Sequence, residues 1–300
     1  MSSITTTNNS LEKRLEQIIG NIRSLPTPPI VFEQIQKVIN SPDASVNDVA
    51  HILAEDPAMS VKILKLTNSA FYGLSREIDS ISQAVMIIGL EAVKNLVLSA
   101  SVLSMFKASE ETKQYHADFW RHSLTTALVA RMIARNFKSG KKFNPDPAFS
   151  MGLLHDVGKM IICSFMENEH KQIQTYLLNS DNASDLEAET AVMGFNHAQL
   201  GRQLAFSWKL PQRLADTIGY HHSPSLENES DDFAYLISLA NYITNTNVVG
   251  DNDNTGTKYH LSPEVKDYFE ADDDYIAGFK SRIIEEYMKA ETFMSIAAKG

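Results

Sequence analysis

The segment Gly152-Leu153-Leu154-His155-Asp156-Val157-Gly158-Lys159 sets an imidazole beside a carboxylate within an apolar stretch. An adjacent His-Asp pair can offer a nitrogen and an oxygen to the same divalent cation, and Lys159 can hold a phosphate oxygen if it projects into the same pocket. Upstream, Asp118 and His122 are spaced i, i+4, which puts both on one face of a helix and lets them converge on one ion. Downstream, His197 opens a helical stretch that runs to Trp208, while His221 and His222 close another. Both sets of imidazoles therefore fall at helix boundaries, where a cavity can be lined. Asp118, His122, His155, Asp156, His197, His221 and His222 make seven candidate ligands, of types that suit iron, manganese or zinc.

The elements that must position them read as helices. After a polar lead expected to fray, Leu11, Leu15, Ile18, Ile19 and Ile22 have helical spacing. Leu25-Pro26-Thr27-Pro28-Pro29 must be extended, because each proline fixes its own backbone and drives the preceding residue out of the helical region. From Val31 to Met105 several short helices follow, opened by Ser41-Pro42-Asp43, Ser45, Asp56-Pro57 and Ser80, with a turn at Asn68 to Gly73 and a break at Gly89. A second set is expected over 112–136, 149–169, 185–192, 197–208, 212–219 and 233–244. Asp251 to Gly256 reads as an exposed loop before a C-terminal tail. No β alternation is sustained, so the expected fold class is all-α. The expected divisions are a lead and first helix over 1–20, an N-terminal helical lobe over 20–108, a second helical lobe over 109–245, and a loop and helical tail over 246–300.

Composition narrows the function classes. Hydrophobic residues at 43% against charged residues at 21% can bury a core. A formal charge of -10, from 37 acidic and 27 basic side chains, opposes general attraction to nucleic-acid phosphates. The best apolar stretch, Ala84 to Met105, carries Glu91 and Lys94, which argues against a membrane span. The N-terminal residues lack a basic segment followed by an apolar run, so a cytoplasmic protein is expected. Cys163, in the apolar run Met160 to Phe165, reads as a small buried hydrophobe, and Trp120 and Trp208 read as core aromatics. Met59, Met86 and Met105 read as packing residues.

The order of a histidine, a His-Asp pair and a distant aspartate resembles the HD superfamily of metal-dependent phosphohydrolases. The resemblance falls on His122, His155 and Asp156, and implies a multi-helical bundle. The position that fits the distant aspartate holds Asn241, an amide that offers only a neutral oxygen and binds a divalent cation more weakly. Leu25-Pro26-Thr27-Pro28-Pro29, Ala54 to Met59, Leu66 to Gly73 and Ile81 to Leu90 occur in an order that is similar to the HDOD family of bacterial output domains, over roughly residues 20 to 225. That resemblance implies a helical regulatory domain in bacterial signalling, with a signalling protein as partner and catalysis weak or absent.

Asp118, His197, His221 and His222 resemble the two-metal arrangement of HD-GYP phosphodiesterases, but Ser223-Pro224-Ser225-Leu226 stands where that family has Gly-Tyr-Pro. In the alternative, a metal-dependent phosphohydrolase acting on a nucleotide or other phosphoester, the resemblance implies one or two ions. Asp156 would bridge them, and Lys159 would steady the phosphate.

Overall fold

Ser45, Asp56 and Ser80 each begin a helix by accepting a backbone N–H three residues on, from Asp48, Met59 and Gln83 respectively. Asp48 returns the bond to the Ser45 N–H, completing a capping box, and Pro57 fills the first helical position, where its missing N–H costs nothing. The computed structural model describes residues 2–22, 30–39, 41, 45–106, 108–137, 142–180, 183–224, 232–247 and 260–297. The proline run at 25–29, Pro42-Asp43 and the loop at 251–256 lie outside the described residues.

Every regular element among the described residues is an α-helix. The first six are α1 (Ser2–Asn21), α2 (Ile30–Ile39), α3 (Val46–Ala54), α4 (Pro57–Thr67), α5 (Ile81–Ile88) and α6 (Leu90–Met105). Next come α7 (Lys113–Asn136), α8 (Pro145–Leu154), α9 (Val157–Phe165), α10 (Glu167–Leu178), α11 (Asp185–Met193), α12 (His197–Ser207), α13 (Gln212–Tyr220) and α14 (Asp232–Asn247). The last three are α15 (Pro263–Phe269), α16 (Asp273–Ala277) and α17 (Lys280–Ala297). The fold class is all-α.

The lead expected to fray is helical from Ser2. Its polar residues continue an amphipathic helix whose Leu15 and Ile19 are buried against α12. Helices α2 to α6 pack on one another, α6 lies along α8, and α7 pairs with α8 and α14. Helix α17 crosses α4, α6 and α7, so one continuous apolar core runs through both halves. Among the described residues no single helix is long and apolar enough to cross a membrane. Chain direction changes by 116° between α5 and α6 at Gly89, whose φ of 89° is left-handed and open to glycine without strain.

The turn at Asn68 to Gly73 is structural. The Asn68 amide spans the loop, donating to the Ile78 carbonyl at 2.7 Å and accepting the Ile78 N–H at 2.8 Å. Phe71 then packs its ring against Phe149 of α8, with centroids 4.7 Å apart, and lies beneath the Arg131 guanidinium of α7 at 4.1 Å. Trp208 and Cys163 are buried and Trp120 packs on the core. Met86, read as a packing residue, is instead 66% exposed.

One helix was expected over 149–169, and the chain there forms three. The break between α8 and α9 falls on His155 and Asp156, and Met166 separates α9 from α10. Buried apolar residues flank the first break on both sides, so hydrophobicity carries no mark of it, whereas α10 beyond the second is polar and buries Ile173 alone.

Candidate metal centre

Two glycine contacts bring the histidine-bearing helices together. A Cβ at Gly152 of α8 would stand 2.6 Å from the Cα of Ala127 in α7. One at Gly158 of α9 would stand 2.0 Å from the His197 carbonyl oxygen at the start of α12. Gly201, one turn along α12, has its own Cβ position 3.2 Å from the Gly158 nitrogen. Only hydrogen at these positions permits such backbone approach. The first contact sets His122 on α7 beside the end of α8, and the second sets His197 beside the start of α9.

His155 caps the end of α8, and Asp156 is the residue before α9. The His155 ring donates Nδ1–H to the Gly152 carbonyl at 2.7 Å, since a carbonyl can only accept. His221, the last-turn cap of α13, donates Nδ1–H to the Ile218 carbonyl at 2.8 Å. His197, the first residue of α12, donates Nδ1–H to the Glu189 carboxylate at 2.7 Å. In all three rings the second bond fixes the orientation and leaves Nε2 to face the centre, as in metal-binding histidines held by an outer partner.

The Asp156 carboxylate is the hub. Its Oδ1 lies 3.0 Å from His197 Nε2 and 3.2 Å from His221 Nε2. Its Oδ2 lies 3.4 Å from His155 Nε2, 3.8 Å from His122 Nε2 and 3.0 Å from Lys159 Nζ. His222 Nε2 is 3.0 Å from His197 Nε2. Two donor groups result, with all ligand atoms of each within 4.8 Å of one another: Asp156, His197, His221 and His222 in one, and His122, His155 and Asp156 in the other. Asp156 belongs to both.

Charge and burial make the cluster unusual for a packing feature. Asp156 Oδ1, His155 Nε2 and His221 Nε2 are buried without a hydrogen-bond partner, because the approaches between them lack hydrogen-bond alignment. Leaving one such atom unpaired costs about 1–3 kcal/mol, and divalent ions in the two donor groups would satisfy all three. Burial alone would raise the Asp156 pKa, yet His155, Lys159 and His197 hold it well below the usual carboxylate range. Burial pushes His122 down to about 4 and takes His155 and His222 well below the ordinary imidazole value. Burial acts in the same sense on His197, but the carboxylates of Glu189 and Asp156 outweigh it and raise that ring to about 9. His122, His155 and His222 are thus neutral and Asp156 is ionised, the forms that ligate metals, whereas His197 would give up its Nε2 proton to an incoming ion. The donor set therefore fits a divalent transition ion.

One expected ligand, Asp118, is placed otherwise. Asp118 belongs to neither donor group: its side chain is 52% exposed, 3.2 Å from Arg121 and accepting from Gln114 Nε2 at 2.9 Å. The i, i+4 spacing gives it the helical face of His122, but these two surface partners hold its carboxylate outward. Asn241 is buried on α14, where its Oδ1 accepts from Asn245 Nδ2 at 2.8 Å. Lys159 lies between two carboxylates, 3.0 Å from Asp156 and 2.8 Å from Asp185.

Asp185 and Glu189, both on α11, were not anticipated. Glu189 is 3% exposed, an uncommon state for a glutamate, and their i, i+4 spacing was the signal available in the sequence. A cleft of about 440 Å³, lined in part by Val61, Lys65, Asn68 and Ile296, contains none of these side chains, and its Asn68 is committed to Ile78.

Residues 25–224 match the family model described as HDOD domain. An uncharacterized protein of Treponema pallidum is 26% identical over 234 residues, which are 78% of this chain and 44% of that protein. The uncharacterized protein YuxH of Bacillus subtilis is 25% identical over 120 residues, 40% of this chain and 27% of YuxH. The chain thus spans less than half the length of these curated relatives. An HDOD domain protein of unknown function from Geobacter sulfurreducens superposes with a TM-score of 0.75 at 24% identity, over 95% of this chain and 99% of that one. A proposed phosphohydrolase from Shewanella amazonensis gives 0.71 at 22% identity, over 93% and 97%. At these identities the solved structures establish the fold.

Proposed function

We propose, since this chain belongs to the HDOD domain family, that it is a signal-transduction module whose second half holds one or two divalent transition ions and whose first half engages a protein partner. The observation that carries the metal reading is Asp156, a buried carboxylate faced by the Nε2 atoms of His122, His155, His197 and His221 within 3.8 Å. His122, His155 and Asp156 would hold one ion, and Asp156, His197, His221 and His222 the other. A bound divalent ion supplies Lewis acidity and lowers the pKa of a coordinated water.

The regulatory reading rests on what surrounds these ligands. An amide, Asn241, stands at the position where the HD superfamily has its last aspartate, and the Asp118 carboxylate is turned to the surface, so the centre has fewer anions than a full hydrolase set. Phe71 of the first half contacts both α7 and α8, through Arg131 and Phe149. These helices carry His122 and lead into His155. A change in ion occupancy thereby has a packed route to the surface of the first half.

Hydrolysis of a nucleotide or another phosphoester is the second reading, favoured by one observation: Lys159 Nζ lies 3.0 Å from Asp156 with its side chain 15% exposed, within reach of an anion at the edge of the cluster. The ammonium would hold a phosphate oxygen, and Asp185 orients it from the other side.

The two readings separate in a turnover screen of the metal-loaded protein with nucleotides, cyclic dinucleotides and generic phosphodiesters. Negligible hydrolysis alongside retained metal is the expected result. Robust metal-dependent turnover would install the hydrolase reading.

A further inference from the structure

One carboxylate oxygen behind the centre takes two donors from a single residue. Glu189 Oε2 accepts the His197 backbone N–H at 2.7 Å and the His197 ring Nδ1–H at 2.7 Å. Its side chain is 4% exposed, so this bonding takes place out of water. The acid comes from α11, which a Ser184–Glu187 capping box starts and which ends at Gly194 in the left-handed conformation. One turn before Glu189 on the same helix, Asp185 contacts Lys159 at 2.8 Å. Helix α11 thus approaches the centre with two acids.

The other two anchored rings differ in the charge of their outer partner. His155 and His221 donate Nδ1–H to the neutral carbonyls of Gly152 and Ile218. His197 donates to a carboxylate. A charged acceptor draws the ring proton more strongly and makes the opposite nitrogen a better electron donor to a cation. Both donors of His197 lie on one oxygen, so the backbone bond fixes the first residue of α12 against the acid and the second bond holds the ring.

We propose that Glu189 is a positioning residue that sets the affinity of the ion held by Asp156, His197, His221 and His222, through the orientation and donor strength of His197. This rests on the metal reading above. A purely structural role, holding the N-terminus of α12, predicts a different outcome, because a neutral side chain of the same shape would serve it.

Glu189→Gln separates the two. Its amide oxygen can accept both His197 donors, so the shape and the ring tautomer are kept and only the charge is removed. Metal-stripped wild type, Glu189→Gln and Glu189→Asp are titrated with zinc against a chromophoric chelator, and their metal-free helical content is compared by circular dichroism. The expected result is a fall of about 10–100-fold in the affinity of one bound ion for Glu189→Gln. Its metal-free helical content stays that of wild type, and Glu189→Asp recovers part of the lost affinity because it keeps the charge. If Glu189→Gln leaves too little folded protein, the comparison of Glu189→Asp with wild type decides. Retained affinity supports the proposal, and affinity lost in spite of the kept charge overturns it. Equal zinc affinity in wild type and Glu189→Gln overturns it with the metal reading intact, whereas a wild type that takes up no zinc overturns the metal reading and the inference together.

Discussion

Asp156 Oδ1 lies 3.0 Å from His197 Nε2 across a contact between α9 and α12 in which the backbone of Gly158 touches the His197 carbonyl. The distance between a carboxylate and an imidazole is therefore set by a residue without a side chain. Ligand geometry and helix packing are one property here, and a change in either should register in the other.

Gly158→Ala should show this directly. Its Cβ would meet the His197 carbonyl oxygen at 2.0 Å, so α12 has to retreat. Overpacking of this kind costs roughly 1–3 kcal/mol or more. Urea denaturation should report the loss of stability, and zinc titration a weaker ion in the group that contains His197. Unchanged zinc affinity would mean that the contact does not set the ligand distance.

His155→Ala should remove the ion held with His122 and Asp156 and leave a folded helical protein. The apolar core that joins all the long helices supplies the main driving force, and the ion adds to it. The expected loss of metal-free stability is roughly 0.5–3 kcal/mol. Far-UV circular dichroism with global loss of helix would show that the centre is needed for folding itself.

The metal-free protein should be most stable near the ordinary imidazole pKa of 6.5. Burial keeps His122, down to about 4, and with it His155 and His222, neutral in the folded chain, while the same side chains in the unfolded chain protonate below 6.5. The unfolded state then binds more protons, so stability falls as pH drops from 6.5 towards 4. His197 works the other way. Glu189 and Asp156 overcome its burial and hold its proton to about 9 in the folded state, so the stability it contributes is lost as pH rises from 6.5 to 9. Denaturation midpoints measured in chelator over this range should describe a peak, and a flat profile would contradict the charge states assigned to the cluster.

How much was legible beforehand depended on the range of the interaction. The caps at Ser45, Asp56 and Ser80 could be read because each is closed within three residues. The imidazoles at the ends of α12 and α13 could be read because cap and turn signals mark those ends. The break at His155 and Asp156 could not, since buried apolar residues flank it on both sides and Asp156 makes no side-chain cap hydrogen bond. The outward turn of Asp118 depends on Gln114 and Arg121, and helical spacing alone does not say which of two residues on a face points into a cavity. Glu189 escaped notice because its partner is eight residues away in another helix, and α11 has the acidic first turn of an ordinary solvated helix.

Metal content tests the central claim most directly. The protein is purified without chelator, analysed by elemental mass spectrometry, then stripped and offered iron, manganese and zinc. The expected result is at least one divalent transition ion per chain, with re-uptake after stripping and a higher melting temperature in the loaded form, because a ligand bound only by the folded state stabilises it. Protein that carries no such ion and takes up none of the three would contradict the metal centre and the functions proposed for it.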